Sequence, residues 1–574
     1  TETHPVDGFS HHQPILAYFP SGVSTDGVIF HTDDPTKSLR PDSKVLLIEA
    51  ESGQPVPVWA EVDLNTEVPA EQAFLIRPFV RLQNAKRYIV ALQGLRQPSS
   101  DGKMAPLVPT PEGFSRIRDK NTAADPQLAA LSTRYEKEIF PAIEKLGVMR
   151  TQLQLAWDFT VSSEESNTRD LLDIQKDLLA NLRAKLPTVT IDKVSEYTKM
   201  ENENIWLRIE GSIRVPLYLK STAIGAQLFR NGSGKVAQNG EADVPFTMQL
   251  PHSANPTSAT FEPVRILEYG HGFFGAREEI NYGFMRGYSN EQRYATIAVD
   301  WWGMSEDDLG QVLIDALSKP GTAFDFVDRL HQAMANMIAL SYVVKGPLTQ
   351  VPQLKRFGKL LYDPAKLYYY GISQGAIFGV TMLSINPLIE RAALSVGGGP
   401  YSLMMSRSAS YEMLYNVLTG QLKDPLGVMK FMALSQSTWD RVDPITYAPH
   451  LLKNTYPQSP ANRSVVFQIG IGDHSVNNLA SHVMARALEI PLLTPSSAPI
   501  WGLQPVSAPA DDAMVVMDWK LAKVPGIYCK VPSEAEGNDV HEGVRRSPKI
   551  KQQLDQFFRP DGAIQDTCAG LCTP

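Results

Sequence analysis

The spacing of hydrophobic and polar positions divides the chain into two parts with different periods. Up to about residue 110, short apolar runs alternate with Pro, Gly and Asp at intervals of about ten residues, which is typical of β-strands joined by turns. A series of such strands predicts an antiparallel sandwich. The runs are Ile15–Phe19, Val45–Ile48, Val58–Val62, Ala73–Ile76 and Tyr88–Leu92.

The pattern changes to helical spacing over 126–146 and returns to a strand at Leu153–Phe159, which is expected to close the first domain. A capping pattern that begins at Ser163 predicts a helix immediately afterwards. We therefore predict an all-β sandwich domain with a helical insertion over residues 1–162, followed by a linker helix over 163–186.

The remaining residues, 187–574, form a second predicted domain in which strands alternate with helices. Two long runs, Ile205–Leu219 and Val244–Leu250, predict an opening hairpin. The alternation that follows predicts a mostly parallel sheet with helices on both faces, an α/β fold. Its predicted strands are Val264–Tyr269, Ala295–Val299, Leu367–Tyr370, Ala392–Val396, Val465–Ile469 and Gly526–Val531. One face of an amphipathic helix between them carries Val327, Leu330, Met334, Met337 and Ile338.

The motif Gly371-x-Ser373-x-Gly375 lies between an apolar strand and an apolar helix. A serine at the tip of so tight a turn needs a strained backbone and small neighbours. The turn exposes the hydroxyl above the sheet at the N-terminus of a helix, where the helix dipole favours negative charge. Ser373 is therefore the predicted nucleophile. The alternative is a glycine-rich turn with a structural role only.

A serine nucleophile needs a histidine to take its proton, and that histidine needs a carboxylate to orient it. On a sheet of this kind the three residues follow one another in the order Ser, acid, His. Asp473 comes just after the strand Val465–Ile469 and is the predicted acid. His541, in a predicted loop after the last strand, is the predicted base. The four histidines that follow Ser373 are His450, His474, His482 and His541.

Alternatives to this acid and this base remain open. Asp539 is a second candidate acid, although it lies only two residues from His541. Asp473 could serve as a turn or helix cap, and His541 could be an ordinary surface histidine. His482 lies on the predicted helix after the acid, and His474 could be a neighbour of the site or a gate to it.

Two backbone N–H groups are expected to stabilise the oxyanion of the tetrahedral intermediate. The N–H of Gln374 follows the nucleophile directly. Phe273, in the glycine-rich loop His271-Gly272-Phe273-Phe274 after an early strand, is the predicted second donor. The alternative for this loop is a tight strand-to-helix turn with a buried histidine.

Substrate selection is expected to reside in a helical cap inserted at about residues 400–447, which is rich in methionine and leucine. Flexible thioethers adapt to irregular apolar ligands. The alternative for each methionine is ordinary core packing. The alternative for Trp301 and Trp302, which follow the strand Ala295–Val299, is packing below the rim of the site. The residues predicted to contact substrate are His271, Gly272, Phe274, Trp301, Trp302, Met404 and Met405.

The bulk properties exclude several classes of function. A net charge of −8 argues against a nucleic-acid partner and against a basic membrane patch. No apolar run approaches the ~18 residues that would cross a bilayer. Asn231-Gly-Ser-Gly-Lys235 resembles a phosphate-binding loop but lacks its spacing, and no His, Asp and Glu spacing matches a metal site. We therefore expect no metal and no cofactor.

The chain has three cysteines: Cys529, Cys568 and Cys572. A disulfide that clamps the tail, with Cys529 as one possible partner, would fit an exported protein, whereas three free thiols would fit a cytosolic one. Because the chain begins at Thr1 rather than at methionine, we expect that a preceding segment, such as a secretion signal, was removed.

Over residues 187–560 the sequence resembles the α/β-hydrolase-fold serine hydrolases. Gly270-His271-Gly272-Phe273 resembles the His-Gly loop of lipases, in which the residue after the His-Gly pair supplies the oxyanion N–H. Gly470-x-x-Asp473-x-x-Val476 resembles the acid-bearing stretch of esterases and lipases, except that Asn477 stands where many of them have Pro. The stretches Leu75–Pro78 and Arg87–Ala91 resemble Ig-like modules of large exported bacterial lipases and esterases.

The resemblance implies a carboxylic-ester hydrolase that is secreted, periplasmic or displayed on the bacterial surface and acts on a small or lipid-like ester. Two alternatives remain: a peptidase of the same fold, and a binding protein on an inactive hydrolase scaffold. An N-terminal propeller would favour the peptidase, but the sequence shows no repeats of the kind that build one. The sequence leaves the acyl group, the alcohol group and the oligomeric state open.

Overall fold

The structure is a computed structural model that describes residues 5–99, 104–318, 323–497, 499–519 and 538–574. The chain forms two compact units. The first unit comprises Thr1–Asn167, Pro400–Met405 and Tyr415–Asp440, and the second comprises Thr168–Gly399, Ser406–Leu414 and Arg441–Pro574. Most of the segment predicted as a cap thus belongs to the first unit.

The strands are numbered in chain order. Those of the N-terminal region are β1 (Ile15–Ala17), β2 (Val45–Glu49), β3 (Pro55–Val56), β4 (Val58–Val62), β5 (Phe74–Pro78), β6 (Arg87–Gln93) and β7 (Leu153–Thr160). Those that follow are β8 (Val189–Glu196), β9 (Ile205–Pro216), β10 (Glu241–Pro251), β11 (Val264–Gly270), β12 (Tyr294–Val299), β13 (Lys355–Arg356), β14 (Lys359–Leu360), β15 (Tyr362–Ile372), β16 (Arg391–Ser395), β17 (Ser464–Ile471), β18 (Leu492–Thr494), β19 (Pro505–Ser507) and β20 (Ala513–Asp518).

The α-helices are numbered in the same way. They are α1 (Glu112–Arg118), α2 (Pro126–Arg134), α3 (Phe140–Lys145), α4 (Glu164–Ala184), α5 (Gly283–Gln292), α6 (Glu306–Ser318), α7 (Phe326–Lys345), α8 (Gln374–Ile385), α9 (Tyr401–Met405), α10 (Glu412–Leu422), α11 (Pro425–Trp439), α12 (Pro444–Tyr447), α13 (Asn478–Leu488), α14 (Val540–Arg546) and α15 (Pro548–Phe557). A π-helical turn, Tyr135–Ile139, joins α2 to α3.

The first unit contains two antiparallel sheets, with strand orders β1-β5-β4 and β3-β2-β6-β7. Alternate residues of β6 face opposite ways, as the two-residue period of a strand requires. Tyr88, Val90 and Leu92 enter a core shared by both sheets, whereas Ile89 and Ala91 enter a second core with the helices of 112–145. The predicted antiparallel strands are confirmed, and the likeness to an Ig-like module stays a prediction.

The second unit is built on an eleven-stranded sheet of order β19-β18-β20-β17-β16-β15-β11-β12-β10-β9-β8. All neighbours from β19 to β12 run parallel, and β10, β9 and β8 continue antiparallel. The predicted mostly parallel sheet is therefore confirmed, with β15 among parallel neighbours on both sides.

Helices cover both faces of this sheet, as the apolar strands require. From β11, Leu267 and Tyr269 enter a core that contains Tyr288 of α5 and Leu554 of α15. Glu268 lies between them and points to the other face, where it meets α7. One strand therefore packs against helices on both sides.

Several strands of the eleven-stranded sheet were not predicted. β8 alternates half-buried and exposed positions, so its sequence lacks a continuous apolar face. β20 has a clear apolar run, Ala513–Val516, but the sequence interpretation placed the last strand at Gly526–Val531, which lies outside the described residues. β18 and β19 are only three residues long, too short for a period to show.

At the C-terminus, Cys568 and Cys572 form a disulfide. Cys529, which the sequence analysis considered as one possible partner in a tail disulfide, lies outside the described residues. Within the described ranges, no helix combines the length and the apolar character needed to cross a membrane.

Candidate active site

Ser373 lies in a strained turn between β15 and α8, with φ +57° and ψ −120°. The glycines around it are fixed by close backbone contacts. A Cβ atom on Gly375 would stand 2.0 Å from the carbonyl oxygen of Gly270, and one on Gly371 would stand 2.3 Å from that of Gly375. These distances are too short for any side chain, so both outer positions of the motif must be glycine.

Asp473 and His541 lie in contact with each other. The Nδ1 atom of His541 is 2.8 Å from Oδ2 and 2.9 Å from Oδ1 of the Asp473 carboxylate. Oδ1 also accepts the backbone N–H groups of Ser475 and Val476, which hold the carboxylate in place. A proton on Nδ1 of the neutral ring leaves a lone pair on Nε2, which is the arrangement a general base needs.

The alternative acid, Asp539, is directed elsewhere. Its Oδ1 atom accepts a hydrogen bond of 3.2 Å from the indole N–H of Trp519. Of the two carboxylates considered from the sequence, Asp473 is the one that the structure brings to His541.

His541 lies in helix α14, and the prediction that it lies in a loop is wrong. Asn538 lies just before this helix, where its Oδ1 accepts the N–H of Val540 and its Nδ2 donates to the Gly472 carbonyl beside the acid. The helix packs closely on β17, since a Cβ atom on Gly470 would stand 2.4 Å from a methyl of Val540. The helix therefore fixes the position of the histidine.

Ser373 and Asp473 lie at the same edge of the sheet. Each follows the carboxyl end of its strand, β15 or β17, and only β16 separates the two parallel strands. Two strand spacings amount to about 10 Å. An imidazole with a hydrogen bond on either side can bridge a gap of this size.

The loop after β11 contains His271, which is fully buried. Its Nε2 accepts the N–H of Trp301 at 2.8 Å, so its Nδ1 carries the proton and donates to the Gly272 carbonyl at 2.9 Å. Both ring nitrogens therefore hold the loop in shape. Trp301 is also fully buried, with its ring 5.5 Å from that of Phe378.

Phe273 and Phe274 continue this loop. Phe274 has a positive φ of +45°, which turns the backbone sharply after Phe273. The ring of Phe273 is half-buried and lies 4.7 Å from the ring of Tyr411. Trp302, which follows β12, is half-buried. The guanidinium of Arg329 lies over the Trp302 ring, 4.8 Å from the ring centre.

Residues 406–414, here called the bridging segment, join the acid loop to the loop after β11. At one end the N–H of Ala409 donates to the His474 carbonyl at 2.9 Å, and the Ser408 hydroxyl donates to the Ser475 carbonyl. At the other end Tyr411 packs on Phe273. The bridging segment thus connects both loops that flank the strand end of Ser373, and the sequence analysis did not identify Tyr411.

Gln374 begins α8, and its side-chain Nε2 donates to the Met304 carbonyl at 3.0 Å. Met404 and Met405 are buried in α9, which belongs to the first unit. Their contact with substrate stays a prediction.

The strained serine follows a central parallel strand, and the acid follows the second strand beyond it. This is the α/β-hydrolase fold. In this fold the carboxyl ends of the parallel strands carry the chemistry, and the residues described above occupy that edge.

No protein-family profile and no curated protein match the sequence. Among solved structures, acetyl xylan esterase 1 from Thermoanaerobacterium sp. JW/SL YS485 is 11% identical and aligns over 60% of this chain and 87% of its own, with a TM-score of 0.33. An acetyl xylan esterase from Paenibacillus sp. R4 gives 11% identity, 59% and 88% coverage and a TM-score of 0.32.

A putative dienelactone hydrolase from Klebsiella pneumoniae is 15% identical over 60% of this chain and 99% of its own, with a TM-score of 0.28. At these TM-scores the assignments for this chain rest on its own strand order and site geometry.

Glu279 is a second residue of the site that the sequence did not reveal. Its carboxylate accepts the backbone N–H of Gly272 and the hydroxyl of Tyr269, which lie only 7 and 10 residues before it, but no local motif marks these contacts. Across the described part of the chain, no group of three or more His, Cys, Asp or Glu side chains is arranged to hold a metal ion.

Proposed function

We propose that the protein hydrolyses carboxylic esters through an acyl-enzyme formed on Ser373. The observation that carries the proposal is the hydrogen-bonded pair of His541 and Asp473 at the sheet edge where the strained turn presents Ser373. A serine, a neutral histidine and a buried carboxylate at that edge match the three roles that acyl transfer requires.

In the proposed reaction the Ser373 Oγ attacks the ester carbonyl while His541 Nε2 takes the hydroxyl proton. The N–H groups of Gln374 and Phe273 donate to the oxyanion. The tetrahedral intermediate collapses, and the alcohol leaves with the proton from His541. Water then attacks the acyl-enzyme with His541 as base, which releases the acid and restores the serine.

Asp473 has two tasks in this scheme. It keeps the His541 proton on Nδ1, so that Nε2 faces the serine, and its negative charge stabilises the imidazolium that forms in each step. Because backbone N–H groups of Ser475 and Val476 hold the carboxylate, Asp473 needs no movement to perform them.

We propose further that the substrate is a small or lipid-like ester and that the protein works in an oxidising compartment outside the cytoplasm. The Cys568–Cys572 disulfide supports this location, since such bonds persist in secreted and periplasmic proteins.

The test is hydrolysis of 4-nitrophenyl esters from acetate to palmitate by the wild type and by Ser373→Ala, His541→Ala and Asp473→Asn. We expect losses in kcat of about 10³- to 10⁶-fold. Asp473→Asn should lose activity because an amide cannot fix the histidine tautomer, but it should lose the least because the serine and the histidine both remain. Asp539→Asn is the matched control and should keep kcat within about twofold.

Circular dichroism establishes that each variant is folded, and a fluorophosphonate probe should add its mass to the peptide that contains Ser373. Full activity in Ser373→Ala would refute the proposal. If the wild type cleaves 4-nitrophenyl esters poorly but cleaves 4-nitroanilides, the enzyme is a peptidase or amidase of the same fold.

A further inference from the structure

Glu279 lies in a 3₁₀ turn, Arg277–Asn281, just after the loop that contains Phe273. Both of its carboxylate oxygens are 3.1 Å from the backbone nitrogen of Gly272, and Oε2 also accepts the hydroxyl of Tyr269 at 3.0 Å. The carboxylate therefore joins the first part of the loop, at Gly272, to the side chain of Tyr269 in β11.

The same carboxylate fills the space beneath the loop. A Cβ atom on Gly275 would stand 2.0 Å from Oε1 of Glu279, so the backbone at the end of the loop lies against it. The loop is closed on itself by the hydrogen bond from the Gly275 N–H to the Gly272 carbonyl at 3.1 Å. Glu279 thus supports both ends of the segment that carries Phe273.

The turn that carries Glu279 is itself anchored to the sheet. The backbone N–H of Arg277 donates to Oδ1 of Asp300 at 2.6 Å, and its guanidinium contacts the other oxygen of that carboxylate. Asp300 directly follows β12, the strand next to β11. The loop is therefore tied through Glu279 to a second strand of the sheet.

These hydrogen bonds also determine which donors near the loop remain available to a substrate. The Gly272 N–H is occupied by Glu279, so it cannot serve the substrate. Burial, together with the charge of Glu279, raises the pKa of Tyr269 well above its ordinary value, so this hydroxyl stays a donor to the carboxylate. These two donors compensate the negative charge next to a site where an oxyanion forms.

We propose that Glu279 is a positioning residue that holds the loop so that the N–H of Phe273 faces the reacting carbonyl oxygen. The inference rests on the proposed ester hydrolysis and adds to it the residue that orients the oxyanion site. Glu279 touches neither substrate nor nucleophile, and it acts through Gly272 and the backbone that follows.

The test compares Glu279→Ala, Glu279→Asp and Glu279→Gln. Glutamine keeps an oxygen that accepts the Gly272 N–H and an amide that can donate to the Tyr269 oxygen, so it should keep kcat/KM within about fivefold. Alanine lacks the acceptor, and aspartate is one methylene too short to reach it. Both should lower kcat by about 10- to 100-fold with little change in KM. This is less than the factor of about 10²–10³ that removal of one oxyanion donor costs, because the Phe273 N–H would be displaced rather than removed.

Glu278→Ala is the matched control. Glu278 lies in the same turn and pairs with the Arg277 guanidinium at 2.8 Å, so its loss should leave kcat within about twofold. Endpoint titration with a fluorophosphonate gives the concentration of competent sites, so each kcat refers to folded enzyme only.

A second readout separates positioning from a purely structural role. A trifluoromethyl ketone adds to the serine and places an oxyanion in the same site, so its Ki should rise in Glu279→Ala and Glu279→Asp in proportion to the loss in kcat/KM. The KM for a short ester should not follow it. If Glu279→Ala fails to fold, Glu279→Asp and Glu279→Gln still decide the matter.

Unchanged kcat and Ki in Glu279→Asp, measured against an active wild type, would overturn the inference. It would equally be overturned if Glu279→Gln and Glu279→Asp lost activity to the same extent. Equal rates for the wild type and Ser373→Ala would instead mean that the proposed function itself is wrong, whatever the Glu279 variants do.

Discussion

Single residues at the active edge depend on neighbours that lie far away in the sequence. Ser373 follows β15, but its turn is possible only because Gly375 approaches the Gly270 carbonyl of β11. Asp473 depends in the same way on donors of its own loop and on a helix near residue 540. The chemistry of each residue is therefore set by contacts between elements.

Glu268 is a buried carboxyl group in the strand that leads to the oxyanion loop. It has no exposed surface, and its Oε2 accepts the Ser341 hydroxyl at 2.7 Å. Burial raises its pKa to about 8. The group is therefore neutral in the folded protein at pH 7, and it faces away from the core that contains Tyr269.

We predict that Glu268→Gln changes how stability depends on pH. The unfolded carboxyl loses its proton above pH 4.5, whereas the folded one keeps it up to about pH 8. The wild type should thus lose free energy of unfolding relative to the variant as pH rises from about 4.5 through about 8. Melting temperatures from pH 4 to pH 9 measure this.

The gap in melting temperature between Glu268→Gln and the wild type should be small at pH 4 and widest above pH 8. A gap that stays constant over this range would show that Glu268 does not change its protonation on unfolding as described.

At the scale of elements, the start of α8 approaches the end of β11 so closely at Gly375 and Gly270 that no side chain fits between the two backbones. We predict that Gly375→Ala abolishes activity and lowers stability by more than about 3 kcal/mol, because the added Cβ would meet backbone atoms that cannot rotate away. Denaturant unfolding and ester hydrolysis measure the two effects.

Gly310→Ala is the matched control. Gly310 lies inside α6, and nothing stands within 4 Å of an added Cβ. The same substitution there should stabilise the protein by about 0.5–1 kcal/mol, since alanine has the higher helix propensity. Equal effects at both positions would show that close backbone approach is not the reason for the glycine at 375.

The sequence was sufficient where a local rule decides the structure. Strained serine turns need small neighbours, so Ser373 and its strand and helix could be found, and parallel strands place their carboxyl ends together, so Asp473 could be found too. The helix α14 could not, because its first turn relies on Asn538 and on packing against Gly470. Glu279 could not either, because its hydrogen bonds with Gly272 and Tyr269 belong to no regular helix, strand or turn pattern that a sequence shows.

At the scale of the second unit, the C-terminal helix α15 completes the core beneath β11. Ile550, Leu554 and Phe557 are fully buried there, and Arg265 of β11 contacts the Asp555 carboxylate at 2.5 Å. Helix α15 is thus joined to a strand that lies 290 residues earlier in the sequence.

We predict that Leu554→Ala lowers the free energy of unfolding by about 2–5 kcal/mol, which is the usual result of removing a buried leucine side chain. Activity at 25 °C should stay close to that of the wild type, because the site lies at the sheet edge. Leu317→Ala, at a leucine that is 48% exposed, is the matched control and should change stability by less than about 0.5 kcal/mol. Equal losses in both variants would contradict the packing described for α15.

The separation between the nucleophile and its base has a consequence for the time at which the enzyme becomes active. Ser373 and Asp473 leave the ribosome long before residue 541, and the helix that presents His541 needs the strand end of Gly470 to pack against. With the proposed triad, a nascent chain that carries the serine turn would be chemically inert until the segment around His541 had followed.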